Sequence, residues 1–171
     1  PPNSLNKTFA NLAKELDKSK YLESVQADFL LMTGYRRFPD DEEFTRELLA
    51  KDLYNFRSRN YWLRKLENHG RKERVLVEEY TIEHIMPQNE RLRAEWRDML
   101  GENWKDVQKT WLNRLGNLTL TGYNSTYSDR PFNEKKTVAG GFTDSSVRLN
   151  RFVREQPVWT AEEIRSRTEA L

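Results

Sequence analysis

Cysteine is absent from the 171 residues. That removes disulfide frameworks, thiolate metal sites and thiol nucleophiles, and leaves the redox compartment open. Histidine is nearly absent, with two residues in the chain, so any imidazole chemistry falls to His69 or His84. No apolar run approaches the about 18 residues that a membrane span needs, and no basic-then-apolar leader opens the chain. A cytoplasmic protein with no membrane partner is therefore expected. An initiator Met is missing too, and the opening Pro1-Pro2-Asn3-Ser4 suits a piece of a longer protein. There is no Gly-rich phosphate loop of Walker type, no internal repeat and no low-complexity tract. What is present argues for a folded chain: aromatic content is 12%, with five Trp and eight Phe, too much for a disordered segment. The length fits one domain, or a core with helical additions.

The net charge is only +2, but it is unevenly spread. Residues 57–75 carry seven basic side chains (Arg57, Arg59, Arg64, Lys65, Arg71, Lys72, Arg74) against Glu67 and Glu73. Residues 130–154 carry Arg130, Lys135, Lys136, Arg148, Arg151 and Arg154 against Glu134 and Asp144. Two such clusters in a nearly neutral chain can form a footprint for a polyanion, or can be solvated helix faces.

Hydrophobic spacing predicts a mostly helical chain. Leu5, Phe9, Leu12 and Leu16 share one helical face. A second helix is expected from about 21 to 32, and Asp40 or Asp41 caps a third that carries Phe44, Leu48, Leu49 and Leu53. A fourth, near 58–68, ends at His69-Gly70, where Gly suits a left-handed cap. The character changes at residue 75: Val75-Leu76-Val77 and the run from Tyr80 to Ile85 are rich in β-branched residues and predict a short strand ending at or near His84. Helical spacing returns over 90–100 and 103–114. Gly116 ends that stretch, and Leu118-Thr119-Leu120-Thr121 reads as a second strand before turn residues 122–125. A helix opened by Pro131, a flexible joint at Gly140-Gly141 and helices near 145–155 and 160–170 complete the chain, with Thr160 and Glu163 at capping-box spacing. Trp62, Trp96, Trp104, Trp111 and Trp159 fit core positions, with base stacking as the alternative.

The two histidines differ in setting. His69 sits at a helix end, where partial positive charge suits the helix dipole. His84 follows Glu83 at the end of an apolar strand, a carboxylate beside a base with an ordinary pKa near ~6.5. Asn117 opens the second strand and Asn124 follows it; an amide oxygen is a hard ligand suited to Mg²⁺, and an amide can equally hold a loop or a turn. Spacing alone does not choose between them and Asn113, Asn133 or Asn150.

Three segments together carry a resemblance: Tyr80-Thr81-Ile82-Glu83-His84-Ile85-Met86-Pro87-Gln88; Arg114-Leu115-Gly116-Asn117-Leu118-Thr119-Leu120-Thr121 with Asn124; and Pro131-Phe132-Asn133-Glu134-Lys135-Lys136. In order and local sequence they resemble the HNH, or His-Me finger, nuclease domain at the C-terminal end of GmrSD-type modification-dependent restriction enzymes, whose relatives include sensors of DNA phosphorothioation. The resemblance covers roughly 58–171. It implies a mainly α fold with a small embedded ββα-metal element, a helical region at 1–74 packing on a nuclease core at 75–171, and a helical insertion at about 86–116. In that frame His84 takes the place of the general base, Glu83 that of the acidic metal ligand, Asn117 that of the loop-fixing amide and Asn124 that of the ligand from the following helix. A Glu stands where the pattern frequently has Asp, and the interval between the strands is long.

The expected activity is a metal-dependent DNA endonuclease, nicking or cutting both strands, as the effector of a phage-defence enzyme. His84, Asn117 and Lys135 form its expected catalytic group, Glu83 and Asn124 hold Mg²⁺ (or Mn²⁺), and Arg57, Arg59, Arg64, Arg71, Lys72, Arg130 and Lys136 meet DNA. Phage or modified DNA is the expected partner, with a sensor or NTPase region outside this chain. The alternative is a non-catalytic nucleic-acid-binding module on a degenerate nuclease scaffold; a helical protein-interaction domain is a third reading.

Overall fold

In a computed structural model, residues 2–171 are described, apart from the side chains of residues 2–5, 15 and 35. The Leu5 side chain proposed for the first helical face lies outside the described residues. The chain divides into two compact units, residues 1–45 and 46–171. The first contains α1 (Pro2–Glu15), α2 (Tyr21–Leu31) and the start of α3 (Asp41–Ala50). Asp40 caps α3 through its carboxylate, which accepts the Glu43 N–H at 2.7 Å, so the first-turn donors have a partner. Leu53 falls beyond α3: its N–H donates to Asn113 O at 2.9 Å instead of to a helical carbonyl.

The second unit contains α4 (Arg59–Asn68), β1 (Thr81–His84), α5 (Ala94–Leu100), α6 (Trp104–Trp111), β2 (Leu118–Thr121), α7 (Asn124–Tyr127), α8 (Phe132–Thr137), α9 (Arg151–Glu155) and α10 (Ala161–Ala170). The architecture is mainly helical with a two-stranded antiparallel sheet. Residues 46–74 thus fall in the same unit as the sheet. β2 has the bounds expected, whereas β1 is shorter than its β-branched run. Residues 75–77 stay out of the sheet because Asn68 takes both backbone groups of Val75, accepting its N–H at 2.7 Å and donating to its carbonyl at 3.2 Å.

The register pairs Ile82 with Leu120, Glu83 with Thr119 and His84 with Leu118. Because successive strand side chains alternate between faces, Glu83 and His84 leave β1 in opposite directions. Two hydrophobic clusters result. One gathers Leu53, Leu63, Val77, Leu115, Leu118, Leu120, Val147 and Leu149; the other is built around Ile85, Met86, Trp96, Tyr127, Phe132, Phe142, Trp159 and Ile164. Trp96 and Trp159 are fully buried, in the core positions expected of them, although Trp159 lies outside any helix. Thr160 and Glu163 form the expected capping box at the start of α10. Gly70 has φ +67° after α4, the left-handed geometry expected of it.

Two glycine positions are set by close packing. Gly141 is no flexible joint: a Cβ there would lie 2.5 Å from the Lys136 carbonyl oxygen, so the turn is filled by backbone. At Gly116 a Cβ would fall 1.9 Å from the Ile164 carbonyl oxygen, because α10 crosses directly over the turn that precedes β2. A backbone atom cannot swing aside as a flexible side chain can. Gly116→Ala is therefore expected to lower stability by at least the ~1–3 kcal/mol of an overpacked site. Urea unfolding of the variant checks this, and a wild-type midpoint would contradict the packing described.

Candidate active site

His84 ends β1 and is 5% exposed. Its Nε2 lies 3.1 Å from Asn113 Oδ1, and the Tyr54 ring meets the imidazole edge-on, centroids 4.4 Å apart. Asn113 in turn donates through Nδ2 to Asp52 Oδ2 at 3.3 Å. Burial pushes the His84 pKa down to about 4, reinforced by the Lys135 charge and opposed by the Asn113 hydrogen bond and the Asp52 charge. At neutral pH the imidazole is uncharged and can accept a proton.

The ring stands in the wall of a cavity of about 470 Å³, lined also by Tyr54, Glu83, Gln88, Asn89, Asn124 and Asp129. Asn124 is the first residue of α7, and both hydrogens of its amide point back to β1, to Ile82 O at 3.0 Å and Thr81 Oγ1 at 3.3 Å. A backbone carbonyl only accepts, so Nδ2 must face it and Oδ1 is the atom turned away. Asp129 is paired with Arg93 at 3.0 Å, and that hydrogen bond holds its carboxyl below the usual range.

Glu83 leaves the opposite face of β1. Its Oε1 lies 2.6 Å from Lys135 Nζ, and Lys135 also donates to His84 O at 2.9 Å. Both side chains are buried. Desolvation pushes the Glu83 pKa up and the Lys135 pKa down, and in each case the partner's charge opposes the shift. Lys135, placed by the sequence in the expected catalytic group, does not face the cavity as a free cation, since its ammonium is enclosed between β1 and α8 and paired with Glu83. Its spacing on α8 did not reveal this, because a Lys at that position reads as surface unless its acidic partner is known.

Asn117 is fully buried and does not line the cavity. Its Oδ1 accepts from Met86 N at 2.8 Å and Trp159 Nε1 at 3.1 Å; its Nδ2 donates to Met86 O at 3.1 Å and Leu112 O at 2.8 Å. With Ile85 N donating to Asn117 O at 3.0 Å, this residue continues the strand pairing past His84. Its contribution is to hold backbone.

The expected DNA contacts separate. Arg57 and Lys72 are exposed. Arg59 lies over the Tyr54 ring, 4.8 Å from its centroid, and donates to Tyr54 O. Arg64 donates to Glu78 O, Arg71 pairs with buried Glu67, Arg130 with Glu134, and Lys136 donates to Gln156 O. Asp52 and Tyr54 were not foreseen in the sequence, where Asn113 stood only among the amides left open. The only signal for them was Asn113 lying just ahead of the second motif, and nothing local ties it to residue 52.

Residues 38–171 match the family of GmrSD restriction endonucleases, C-terminal domain, and the chain belongs to that family. No curated protein matches it. Membership implies a nuclease effector of a restriction enzyme, with DNA as substrate. Among the described residues no helix is long and apolar enough to cross a membrane.

The buried pair yields a stability test. Lys135→Met leaves the Glu83 carboxylate buried beside no cation, and loss of one partner from such a pair costs about 3–5 kcal/mol. Adding Glu83→Gln removes the orphaned charge and should recover most of that loss. Denaturant unfolding of both variants measures it; a single variant as stable as the double would show that the carboxylate is not enclosed.

Proposed function

We propose that the chain is a metal-dependent DNA endonuclease domain of the HNH, or His-Me finger, type, and the effector of a phage-defence enzyme. The observation that carries this reading is His84: an uncharged imidazole in the wall of a polar cavity, one ring nitrogen engaged by Asn113. The other nitrogen is left to take a proton from water as that water attacks phosphorus, which is general-base catalysis. Asn117 fixes the backbone beyond His84, and Lys135 holds Glu83 and the His84 carbonyl, so the base is carried on rigid backbone.

For the metal, the donor chemistry fits a Mg²⁺ ion that keeps most of its waters, since such sites need only one or two protein oxygens besides the substrate's phosphate. Asn124 Oδ1 and the Glu83 carboxylate are the groups that would hold it. When bound, the ion would supply charge neutralisation at the scissile phosphate and the departing oxygen. Exposed Arg57 and Lys72, with Arg59 beside Tyr54, offer positive charge for backbone phosphate, which positions a duplex without reading its sequence. Recognition of phage or modified DNA, and any NTP dependence, would then belong to a sensor region outside this chain.

Two observations favour the second reading, a binding module without catalysis. Among the described residues no group of three or more His, Cys, Asp or Glu side chains is placed to hold a metal ion, and Lys135 already answers the Glu83 charge. Plasmid nicking separates the two. With Mg²⁺ or Mn²⁺ the wild type should convert supercoiled plasmid to nicked circles, and EDTA should abolish this. His84→Ala should lower the rate by the ~10²–10⁴-fold typical of losing a general base. DNA binding without nicking, or an equally active His84→Ala, would select the binding module.

A further inference from the structure

The segment 52–55 grips residue 113 in three ways. Leu53 N and Tyr54 N both donate to Asn113 O, at 2.9 and 3.4 Å. The Asp52 carboxylate accepts from the Asn113 amide at 3.3 Å. That carboxylate is itself held by Asn55, whose backbone N–H and side-chain Nδ2 reach it at 3.0 and 2.9 Å, so it is a fixed acceptor.

The chemistry of this chain of contacts runs one way. A carboxylate at neutral pH only accepts hydrogen bonds; desolvation raises the Asp52 pKa, but the contacts from Asn55 and Asn113 with the Arg114 charge outweigh it and hold the group below its ordinary value, so it is ionised there. Asn113 must turn its NH₂ toward Asp52, which turns its carbonyl oxygen toward His84. An amide oxygen likewise only accepts. The proton of a neutral imidazole bonded to it must then sit on Nε2, leaving the lone pair on Nδ1. Without Asp52 the amide is free to rotate by half a turn and present N–H to Nε2, which favours the opposite tautomer. We infer that Asp52, acting through Asn113, selects the His84 tautomer with Nε2 protonated, and that both are positioning residues for the base. As a statement about rate this rests on the proposed role of His84; as a statement about the tautomer it does not.

The test reads the tautomer first. Long-range ¹H–¹⁵N correlation spectra of the full ¹⁵N-labelled chain at neutral pH report which ring nitrogen carries the proton, and a His69→Gln background leaves His84 as the only imidazole. The wild type should show protonated Nε2. Asp52→Ala should move the majority to protonated Nδ1. The exchanged pair Asp52→Asn with Asn113→Asp should keep Nε2 protonated, since the carboxylate then at position 113 accepts from Nε2 and the amide then at position 52 donates to that carboxylate. In nicking assays Asp52→Ala should lower kcat by about tenfold or more with KM unchanged, and the exchanged pair should recover most of it; a positioned base contributes about 10²–10⁴ in all. A wild type protonated on Nδ1, or an Asp52→Ala chain whose tautomer does not change, overturns the inference. Asp52 is exposed, and thermal unfolding of each variant confirms that it is folded. A tautomer that switches in a chain that never nicks supports the inference and rejects the endonuclease instead.

Discussion

The Asn117 amide is out of contact with solvent and fills all four of its hydrogen-bonding positions on three separate segments: the backbone of Met86, the carbonyl of Leu112 and the indole of Trp159. An amide so satisfied has no second arrangement open to it, because rotating it would set donor against donor and acceptor against acceptor. Its two bonds to Met86 copy those of a strand pair, so β1 is effectively lengthened beyond the four residues that pair with β2. His84 therefore stands inside a held segment although it is the last residue of its strand. The end of α6 and the approach to α10 are tied to the same point.

A second restraint acts from the other face of the sheet. Removing two charges from water is costly, and a buried pair is retained only where geometry and additional hydrogen bonds compensate. Lys135 provides both: its ammonium reaches the Glu83 carboxylate and the His84 carbonyl together. One cation on α8 thus fixes two consecutive residues of β1, and a slip of register would leave a buried charge without a partner. The strand is short, yet its position is set by interactions that tolerate no shift.

Much of this was legible in the sequence. Strand β2, the capping box at Thr160 and the Asp40 cap follow from local pattern, because each depends on residues within a turn or two of one another. The positions of His84, Glu83, Asn117 and Asn124 around one sheet were legible through motif order. The environments were less so. Lys135 reads as a helix-surface residue until it is known that Glu83 lies against α8, 52 residues away. Asn113 and Asp52 are 61 positions apart, and an Asx turn at 52–55 gives no hint of a distant amide. The expected strand at 75–77 fails for a related reason: its residues favour strand, but Asn68 satisfies the Val75 backbone and removes the need for a partner strand.

Charge counting fails in a way the structure makes specific. Residues 57–75 hold a basic excess, yet a guanidinium bonded to a carboxylate contributes little field, whereas one bonded to a carbonyl keeps its full charge. Arg71 is of the first kind: Glu67 is buried, pairs with it at 2.7 Å and also accepts the N–H groups of Arg148 and Leu149. That pair joins α4 to the turn ahead of α9. Arg64 and Arg59 are of the second kind, bonded to the carbonyls of Glu78 and Tyr54. Arg59 also stacks on the ring that touches His84. Arg59, beside the ring that touches His84, is thus a cation whose acceptor is neutral, and its hydrogen bond fixes where its field is directed without cancelling it.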